Sequence, residues 1–335
     1  MTAGLLIGHF EPLHLGHLQD INEAAGQCQR LHIIITPRAG DSRFRPTMQD
    51  KVRWVQVACQ HFDFIEVHTP ESLGVQVAGD YASKLSFADG AWQSLQQAWA
   101  GELTVFAKQG VMTDSDYPTR LLSNHDCDDD AIYQNPAMFF DKIAPSAKLD
   151  YTQTVCIVGG ESSGKTTLVH KLANHYGASI ALEMGRLYTH SDLGGTELGL
   201  QYSDYAPIAI NHAKAIFEAK KHAIAPIVLV DTDFATTQAF CEAYEGRTHP
   251  LVASMADEIR MDFTIYLDNN VKWVADGMRR LGSEKQRFAF ATRLLSVLAR
   301  HQIDVVMIDD ADYHERYRQA VAIIDKQVLG MDDAD

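Results

Sequence analysis

The sequence predicts an α/β protein made of two doubly wound parallel-sheet domains. The chain has 335 residues, more than one hydrophobic core usually holds, since single cores stop growing at roughly 250–300 residues. Short apolar runs rich in Ile, Val, Leu and Phe alternate with segments of helical character in both halves. Strands that alternate with helices are typical of parallel sheets with crossover helices. Each half is therefore expected to form its own sheet.

The predicted elements follow from these runs in chain order. In the first half the strands are Leu5–Gly8, Leu31–Thr36, Phe64–Val67 and Leu103–Ala107. In the second half they are Thr154–Val158, Ser179–Leu182, Ile227–Val230, Phe263–Leu267 and Val305–Ile308. The clearest helical segments of the second half are Gly164–His175, Tyr205–His222 and Glu284–Arg300.

The boundary between the domains is predicted in residues 124–150, where periodicity is weak. We place it after residue 148, so the domains are 1–148 and 149–335. The same stretch contains an acidic cluster, Asp126, Asp128, Asp129 and Asp130. Such a cluster is usually a solvated loop, and a metal site there would need ligands from elsewhere in the chain.

Composition excludes several classes of protein. The net charge of −15 argues against a nucleic-acid partner, because such proteins need a basic field. The five cysteines include no CxxC pair, which indicates neither a disulfide framework nor a zinc site. No signal peptide and no apolar run of membrane-spanning length is evident. A cytoplasmic protein is expected, and its oligomeric state is left open, with a homo-oligomer among the options.

A glycine-rich motif lies between a predicted strand and a predicted helix of the second half. Its spacing, G-x-x-x-x-G-K-T, is that of a P-loop. Glycine lets the backbone approach an anion closely, and the following helix N-terminus favours phosphate. Lys165 is expected to reach the β- and γ-phosphates of ATP, and Thr166 to bind Mg²⁺. The predicted nucleotide-binding residues are Gly159, Gly160, Glu161, Ser162, Ser163, Gly164, Lys165, Thr166 and Thr167.

Two aspartates end the strand predicted at Ile227–Val230. Asp231 and Asp233 stand where P-loop proteins place a carboxylate for the magnesium shell. Both are candidate catalytic residues, with Asp231 also a candidate metal ligand. For Asp233, the cap of a following helix is the alternative.

Two other segments of the second half have candidate ligand-binding residues. Glu183 and Arg186 follow the second strand, where acceptor-binding groups are expected, although a surface ion pair is the alternative. Arg279, Arg280 and Arg287 lie in a basic, glycine-punctuated stretch of an otherwise acidic chain. This stretch is predicted to be a lid whose arginines bind nucleotide phosphates, with a solvated helix as the alternative.

A histidine motif follows the first predicted strand. It has the pattern F-x-P-x-H-x-G-H and includes His14 and His17, which are candidate catalytic residues. Histidines three residues apart at the start of a helix can meet one phosphate, and Gly16 would allow close approach. Gly8, Phe10 and Gly16 are the predicted nucleotide-binding residues. Nucleotidyl transfer suits this motif, since the histidines would stabilise the charge that develops on the phosphates. Structural histidines or a metal site are the alternatives.

These motifs together resemble the NadR-type family of nicotinamide-mononucleotide (NMN) adenylyltransferases and ribosylnicotinamide kinases. The resemblance extends over nearly the whole chain and includes segments outside the two motifs, among them Pro46–Trp54, Ala91–Ser94, Gln201–Tyr205, Asp231–Cys241 and Tyr244–Pro250. It implies a Rossmann-like nucleotidyltransferase domain followed by a P-loop kinase domain. The implied ligands are ATP with Mg²⁺, nicotinamide riboside, NMN and NAD, and the implied substrate-binding residues are Trp92, Tyr202, Asp204 and Tyr205.

The implied reactions are phosphorylation of the riboside by the second domain and adenylyl transfer from ATP to NMN by the first. Three features depart from the family. No helix-turn-helix segment precedes the first strand, so DNA binding is not expected, and His9 replaces a common lysine. The second nucleotidyltransferase signature, expected at Tyr133–Ile143, lacks its arginine, for which Lys142 or Arg120 are the candidate substitutes. The alternative is therefore a riboside kinase whose first domain only binds or senses a pyridine nucleotide.

Overall fold

The computed structural model describes residues 2–40, 43–75, 77–78, 84–87, 90–99, 102–113, 117–271 and 284–331. The chain divides into two compact units, Met1–Tyr151 and Thr152–Asp335. The boundary predicted after residue 148 lies inside the helix Pro145–Tyr151, and the division falls at the end of that helix.

The elements of the first unit alternate along the chain. The strands are β1 (Thr2–Gly8), β2 (Arg30–Ile35), β3 (Ile65–His68), β4 (Val77–Ala78), β5 (Lys84–Phe87), β6 (Glu102–Ala107), β7 (Met112–Thr113) and β8 (Thr119–Leu121). The helices are α1 (Leu15–Ala25), α2 (Met48–Ala58), α3 (Pro70–Leu73), α4 (Ala91–Ala98), α5 (Asp129–Gln134) and α6 (Pro145–Tyr151).

A five-stranded parallel sheet with the order β3-β2-β1-β6-β8 forms the centre of the first unit. The winding direction reverses between β1 and β6, which are neighbours in space but distant in sequence. Doubly wound sheets usually bind ligands beside the carboxyl ends of strands at such a reversal. Because β1 ends at Gly8 and β6 at Ala107, the histidine motif and the residues after β6 both lie at this crevice. A small sheet, β4-β5-β7, has one antiparallel pair and was not predicted.

The second unit has the same alternation. Its strands are β9 (Gln153–Gly159), β10 (Ser179–Ala181), β11 (Ile227–Asp231), β12 (Phe263–Leu267) and β13 (Val306–Ile308). Its α-helices are α7 (Lys165–Tyr176), α8 (Met184–Asp192), α9 (Tyr205–Lys221), α10 (Phe234–Glu245), α11 (Pro250–Glu258), α12 (Glu284–Arg300) and α13 (Tyr313–Ile323). Short 3₁₀ segments occur at Glu197–Gly199 and Tyr202–Asp204, and a π-helical segment at Ile324–Val328.

The sheet of the second unit is also parallel and five-stranded, with the order β10-β11-β9-β12-β13. Every residue of β9 and β11 is buried, as expected for central strands covered on both faces. All the predicted strands and helices are present, with ends within three residues of those predicted. The predicted fold class is confirmed.

Candidate active sites

The P-loop of the second unit connects β9 to α7 through three positive backbone φ angles. They are 149° at Gly159, 56° at Ser162 and 90° at Gly164. Glycine adopts such angles without the steric cost that a Cβ imposes. A Cβ at Gly159 would also lie 2.4 Å from the carbonyl oxygen of Leu267, at the end of β12. The loop therefore requires glycine where it turns against the neighbouring strand.

Lys165 begins α7 and directs its ammonium group back over the P-loop. Its Nζ donates to the carbonyl oxygen of Gly160 at 2.9 Å, and the residue is buried. The lysine ammonium is a compact charge on a flexible stem. It can therefore exchange this carbonyl for a phosphate oxygen held by the loop.

Asp231 and Thr166 meet at the carboxyl end of β11. The Thr166 hydroxyl donates to Asp231 Oδ2 at 2.7 Å, and Asp231 Oδ1 is buried with no hydrogen-bond partner among the described residues. A hydroxyl beside a carboxylate with one unsatisfied oxygen fits a magnesium ion, which prefers oxygen ligands.

The pKa of Asp231 is raised above its ordinary value of 3.8. Burial is the main cause and the negative charge of Glu183 adds to it, against the opposing effects of Lys165 and Thr166. A bound cation would offset this penalty.

A pocket lies beside this carboxylate, lined in part by Thr232, the residue after Asp231. Two acidic side chains, three aromatic rings and one imidazole contribute to its wall: Glu183, Glu197, Tyr205, Phe240, Tyr244 and His212. The Tyr244 hydroxyl donates to Glu197 Oε2 at 2.8 Å, which fixes one polar corner. Aromatic walls with a few placed polar groups suit a ligand that combines a flat ring with hydroxyl groups.

In the first unit, His14 and His17 hold each other in place at the start of α1. The Nδ1 atom of each ring accepts the backbone N–H of the other residue, at 3.3 Å for His17 N and 3.4 Å for His14 N. The rings stack with their centroids 3.6 Å apart. Burial lowers the pKa of His17 to about 3 and also lowers that of His14, so both rings are neutral at pH 7. Since Nδ1 accepts in both rings, the proton lies on Nε2.

Both Nε2 atoms face the carboxylate of Asp129, the first residue of α5. The distances are 2.9 Å from His14 and 3.6 Å from His17, and Lys108 Nζ lies 2.9 and 3.0 Å from the two carboxylate oxygens. Burial opposes ionisation of Asp129, but these histidine hydrogen bonds and the charge of Lys108 outweigh it and hold its pKa below its ordinary range. The acidic cluster that was predicted to be a solvated loop thus places one carboxylate in the site.

Comparison with known proteins identifies the family. Residues 154–316 match a family described as an AAA domain. Over 98% of its length the chain is 38% identical to the trifunctional NAD biosynthesis/regulator protein NadR of Salmonella typhimurium LT2, of which 84% is covered. The protein of the same name from Escherichia coli K12 is 37% identical over the same shares of both chains. The chain belongs to the NadR family.

Solved NadR structures have the same fold. A crystal structure of NadR protein in complex with NR matches all of this chain and 98% of its own, with a TM-score of 0.75 and 21% identity. A NadR complex with NAD and AMP-PNP matches with a TM-score of 0.74 and 20% identity. Among the helices of the described residues, none is long and apolar enough to cross a membrane.

Within this family fold, the aspartate that ends β11 and the one two residues later make different contacts. Asp233 is the N-cap of α10, and its Oδ1 accepts from the backbone N–H and the hydroxyl of Thr236 at 2.7 and 2.6 Å. The catalytic role predicted for Asp233 is therefore not supported, and the cap alternative describes it. Asp231 alone contacts the P-loop threonine.

The predicted lid is described only in part. Arg279 and Arg280 lie outside the described residues. Arg287, in α12, is buried, and its Nε donates to the carbonyl oxygen of Glu161 in the P-loop at 3.1 Å. Its Nη2 is buried without a hydrogen-bond partner in the described part of the chain. An unsatisfied guanidinium nitrogen beside the P-loop fits a phosphate oxygen.

Arg316 is a P-loop contact that sequence reasoning missed. Its guanidinium donates to the carbonyl oxygens of Ser163 at 2.8 Å and Asp268 at 2.9 Å. It thus ties α13 to the P-loop and to the end of β12. No local motif marks this arginine, because its partners lie far away in sequence.

Of the predicted substrate-binding residues in this unit, Glu183 and Tyr205 line the pocket beside Asp231. Arg186 lies 3.7 Å from Glu183, one turn along α8. Tyr202 packs under the guanidinium of Arg247, 3.6 Å from its ring centroid, and donates to a backbone carbonyl. The carboxylate of Asp204 accepts from the backbone N–H of Gln201 and from the hydroxyl of Tyr188. Tyr202 and Asp204 therefore have local structural contacts instead of lining the pocket.

The missed residues of this pocket are His212, Phe240, Tyr244 and Glu197. They come from α9, α10 and a short 3₁₀ segment, and only the fold brings them together. The segment that begins at Tyr244 is among those that resemble the family, but no local pattern indicates that its first residue lines a pocket.

Gly16 serves packing within the first unit. A Cβ at this position would lie 2.4 Å from Cε1 of His125 and 2.9 Å from Cβ of Cys127. A phosphate was predicted to approach Gly16 closely, but the chain segment before α5 occupies that space.

Phe10 is buried, with a φ of 48° and its ring 5.0 Å from that of His17. Together with Gly8 it lines a cleft of about 200 Å³ beside Asp129. Both residues are therefore part of the wall of the cleft in which the nucleotide site was predicted.

The segment Tyr133–Ile143, where the second nucleotidyltransferase signature is expected at the start of a helix, begins instead in the last turn of α5. The helix that starts beside the histidines is α5, whose N-cap is Asp128. Its first turn has aspartates at positions 129 and 130, so the start of this helix is acidic.

Neither candidate substitute for the missing arginine lines the cleft. The Arg120 guanidinium donates to the side-chain oxygen of Gln27 at 3.1 Å. The backbone carbonyl of Lys142 accepts from the backbone N–H of Leu15. The cations that line the cleft in the described part of the chain are Arg38 and Lys108.

Trp92 is a core residue. Its ring lies 5.6 Å from that of Phe87 and 4.4 Å from that of Tyr117, within a buried apolar cluster. The predicted stacking on a ligand is not supported, because neighbouring rings of the same chain already cover the indole.

Proposed function

We propose that the second unit phosphorylates the ribose 5′-hydroxyl of nicotinamide riboside with Mg²⁺–ATP, forming NMN and ADP. The observation on which this rests is that the aromatic, carboxylate-bearing pocket includes Thr232, the residue after Asp231, and that Tyr244 in its wall donates to Glu161 of the P-loop at 3.4 Å. Family membership supports the proposal, since the relatives are named for NAD biosynthesis and one NadR structure is a complex with NR.

Phosphoryl transfer depends mainly on positioning and on stabilising charge. Lys165 would bind the β- and γ-phosphates, and Arg287, which contacts the next P-loop carbonyl, would add its unsatisfied nitrogen. Thr166 and Asp231 would hold Mg²⁺, which would supply positive charge to neutralise the phosphates. Glu183 stands in the pocket wall close to Asp231, where it would bind a ribose hydroxyl and orient the 5′-oxygen toward the γ-phosphate.

The proposal is tested by the acceptor that triggers ADP release. Nicotinamide riboside is expected to stimulate ADP formation by the full chain, whereas its 5′-deoxy analogue, which fits the pocket but lacks the attacking hydroxyl, is not. Equal stimulation by both compounds, or by neither, would refute the proposal.

The raised pKa of Asp231 predicts how the rate depends on pH and Mg²⁺. The carboxylate must be ionised to bind the metal, so at low Mg²⁺ the acid limb of kcat/KM should lie above pH 3.8. Saturating Mg²⁺ competes with the proton and should move this limb to lower pH. Profiles of kcat/KM against pH at two Mg²⁺ concentrations check this. An acid limb at the same pH in both profiles would contradict the assignment of Asp231 as a metal ligand.

For the first unit, we infer that the alternative of a pyridine-nucleotide-binding module without turnover fits better than adenylyl transfer. The Asp129 carboxylate occupies the position that the donors of His14, His17 and Lys108 face. Adenylyl transfer would need these donors for the phosphates of ATP. The purified chain is therefore expected to form no more NAD from NMN and ATP than its His17→Ala variant. NAD formation that is robust in the wild type, retained in Lys165→Ala and lost in His17→Ala would establish adenylyl transfer instead.

A further inference from the structure

Three hydrogen-bond donors of the first unit converge on one point. They are Nε2 of His14, Nε2 of His17 and Nζ of Lys108, and all three face the carboxylate of Asp129. The two histidines come from the start of α1, the lysine follows β6, and the aspartate begins α5. The cluster therefore brings together residues from three separate segments at the point where the sheet reverses its winding.

The three donors are oriented to bind an anion. Because both Nδ1 atoms accept backbone N–H groups, the neutral rings can only donate from Nε2. Two N–H donors and an ammonium around one position suit an acceptor with two or more anionic oxygens. A phosphate has this chemistry, and so does the carboxylate of Asp129.

The segment before α5 is held against the histidine helix, so Asp129 is not a loosely attached side chain. The His125 ring fills the space beside Gly16, and its Nε2 lies 3.3 Å from the buried carboxylate of Asp20. Lys108 lies 3.5 Å from the same carboxylate and so bridges Asp20 and Asp129.

On the other side of α5, Arg38 ties the helix start to the loop after β1. Its guanidinium pairs with Asp130 and donates to the backbone carbonyls of Glu11 and Asp129, both at 3.4 Å. The Tyr133 ring packs under the same guanidinium, 3.9 Å from its centre. The acidic helix start is therefore anchored by contacts on both sides.

We propose that Asp129 is a built-in substitute for a nucleotide phosphate, and that it excludes nucleoside triphosphates from the first unit. The ammonium of Lys108 is shared by the carboxylates of Asp129 and Asp20. Without Asp129 the cluster would have one negative charge less, and the Nε2 donors of both histidines would be released. A triphosphate could enter only by displacing the carboxylate and placing its own negative charge beside Asp130 and Asp20. The chain then has one ATP site, the P-loop, and the first unit binds only ligands that place no phosphate on the two histidines.

The test counts nucleotides bound per chain. Calorimetric titration of the full chain with the non-hydrolysable analogue AMP-PNP should give one equivalent for the wild type and two for Asp129→Ala. The matched control is Asp126→Ala, which removes the same charge from an exposed position of the same segment and should leave one equivalent. Adding His17→Ala to Asp129→Ala should return the count to one, which assigns the new site to the histidines.

Two equivalents for the wild type, or one for a folded Asp129→Ala variant, would overturn the proposal. Asp129→Asn keeps the side-chain volume and removes the charge, and serves as the second variant if the alanine chain is unstable. The proposal does not depend on the kinase assignment, because failure of the P-loop site would appear separately as a wild type that binds no analogue.

Discussion

Replacing Lys165 by alanine is expected to reduce riboside phosphorylation by about 10²–10³-fold, the usual cost of removing one donor that stabilises transition-state charge. The ammonium group is buried against the Gly160 carbonyl, so the chain has already desolvated a positive charge where the phosphates would bind. Steady-state rates of NMN formation measure the effect, and the loss is expected mainly in kcat.

The control for Lys165 is Lys214→Ala. Lys214 is exposed on α9, so its removal changes the net charge equally without touching the P-loop. Its rate should stay within about twofold of the wild type, as expected for a surface substitution. A Lys165→Ala enzyme that keeps more than a tenth of the wild-type rate while remaining folded would show that the phosphates bind elsewhere.

The substitutions Asp231→Asn and Asp233→Asn are expected to differ sharply although they stand two residues apart. Asp231→Asn removes the charge beside Thr166 and should lower the rate by about 10²–10³-fold through loss of Mg²⁺. Asp233→Asn should leave the rate nearly unchanged, because asparagine caps a helix about as well as aspartate, with a stability change under about 1 kcal/mol.

Asp231→Asn should also change the stability of the fold. The folded-state pKa of Asp231 is raised, so above that pKa the ionised carboxylate opposes folding, and this penalty disappears as the pH falls. Without Mg²⁺ at neutral pH, Asp231→Asn is therefore expected to melt at a higher temperature than the wild type. Thermal melts at neutral and acidic pH check this, and a lower melting temperature at neutral pH would contradict the assigned burial penalty.

The sequence was a good guide wherever function is encoded locally. The P-loop and the histidine pair could be recognised because neighbouring residues build each of them, and both follow the first strand of a parallel sheet. The apolar runs located the strands because central strands such as β9 are buried along their whole length.

Features that depend on the fold could not be predicted in the same way. The separate roles of Asp231 and Asp233 depend on the residue at which β11 ends and α10 begins. Asp129 looked like part of a solvated acidic loop because its partner Lys108 and the histidines are distant in sequence. Trp92 was indistinguishable from a ligand-stacking aromatic until its packing partners were known.

The most direct test of the account is to identify the product formed from nicotinamide riboside and Mg²⁺–ATP by the purified full chain. Mass spectrometry is expected to find NMN in equal amounts with ADP for the wild type and Asp233→Asn, and neither product above background for Lys165→Ala. Failure of the wild type to form NMN, or NMN formation that persists in Lys165→Ala, would contradict the claim that the second unit is a riboside kinase.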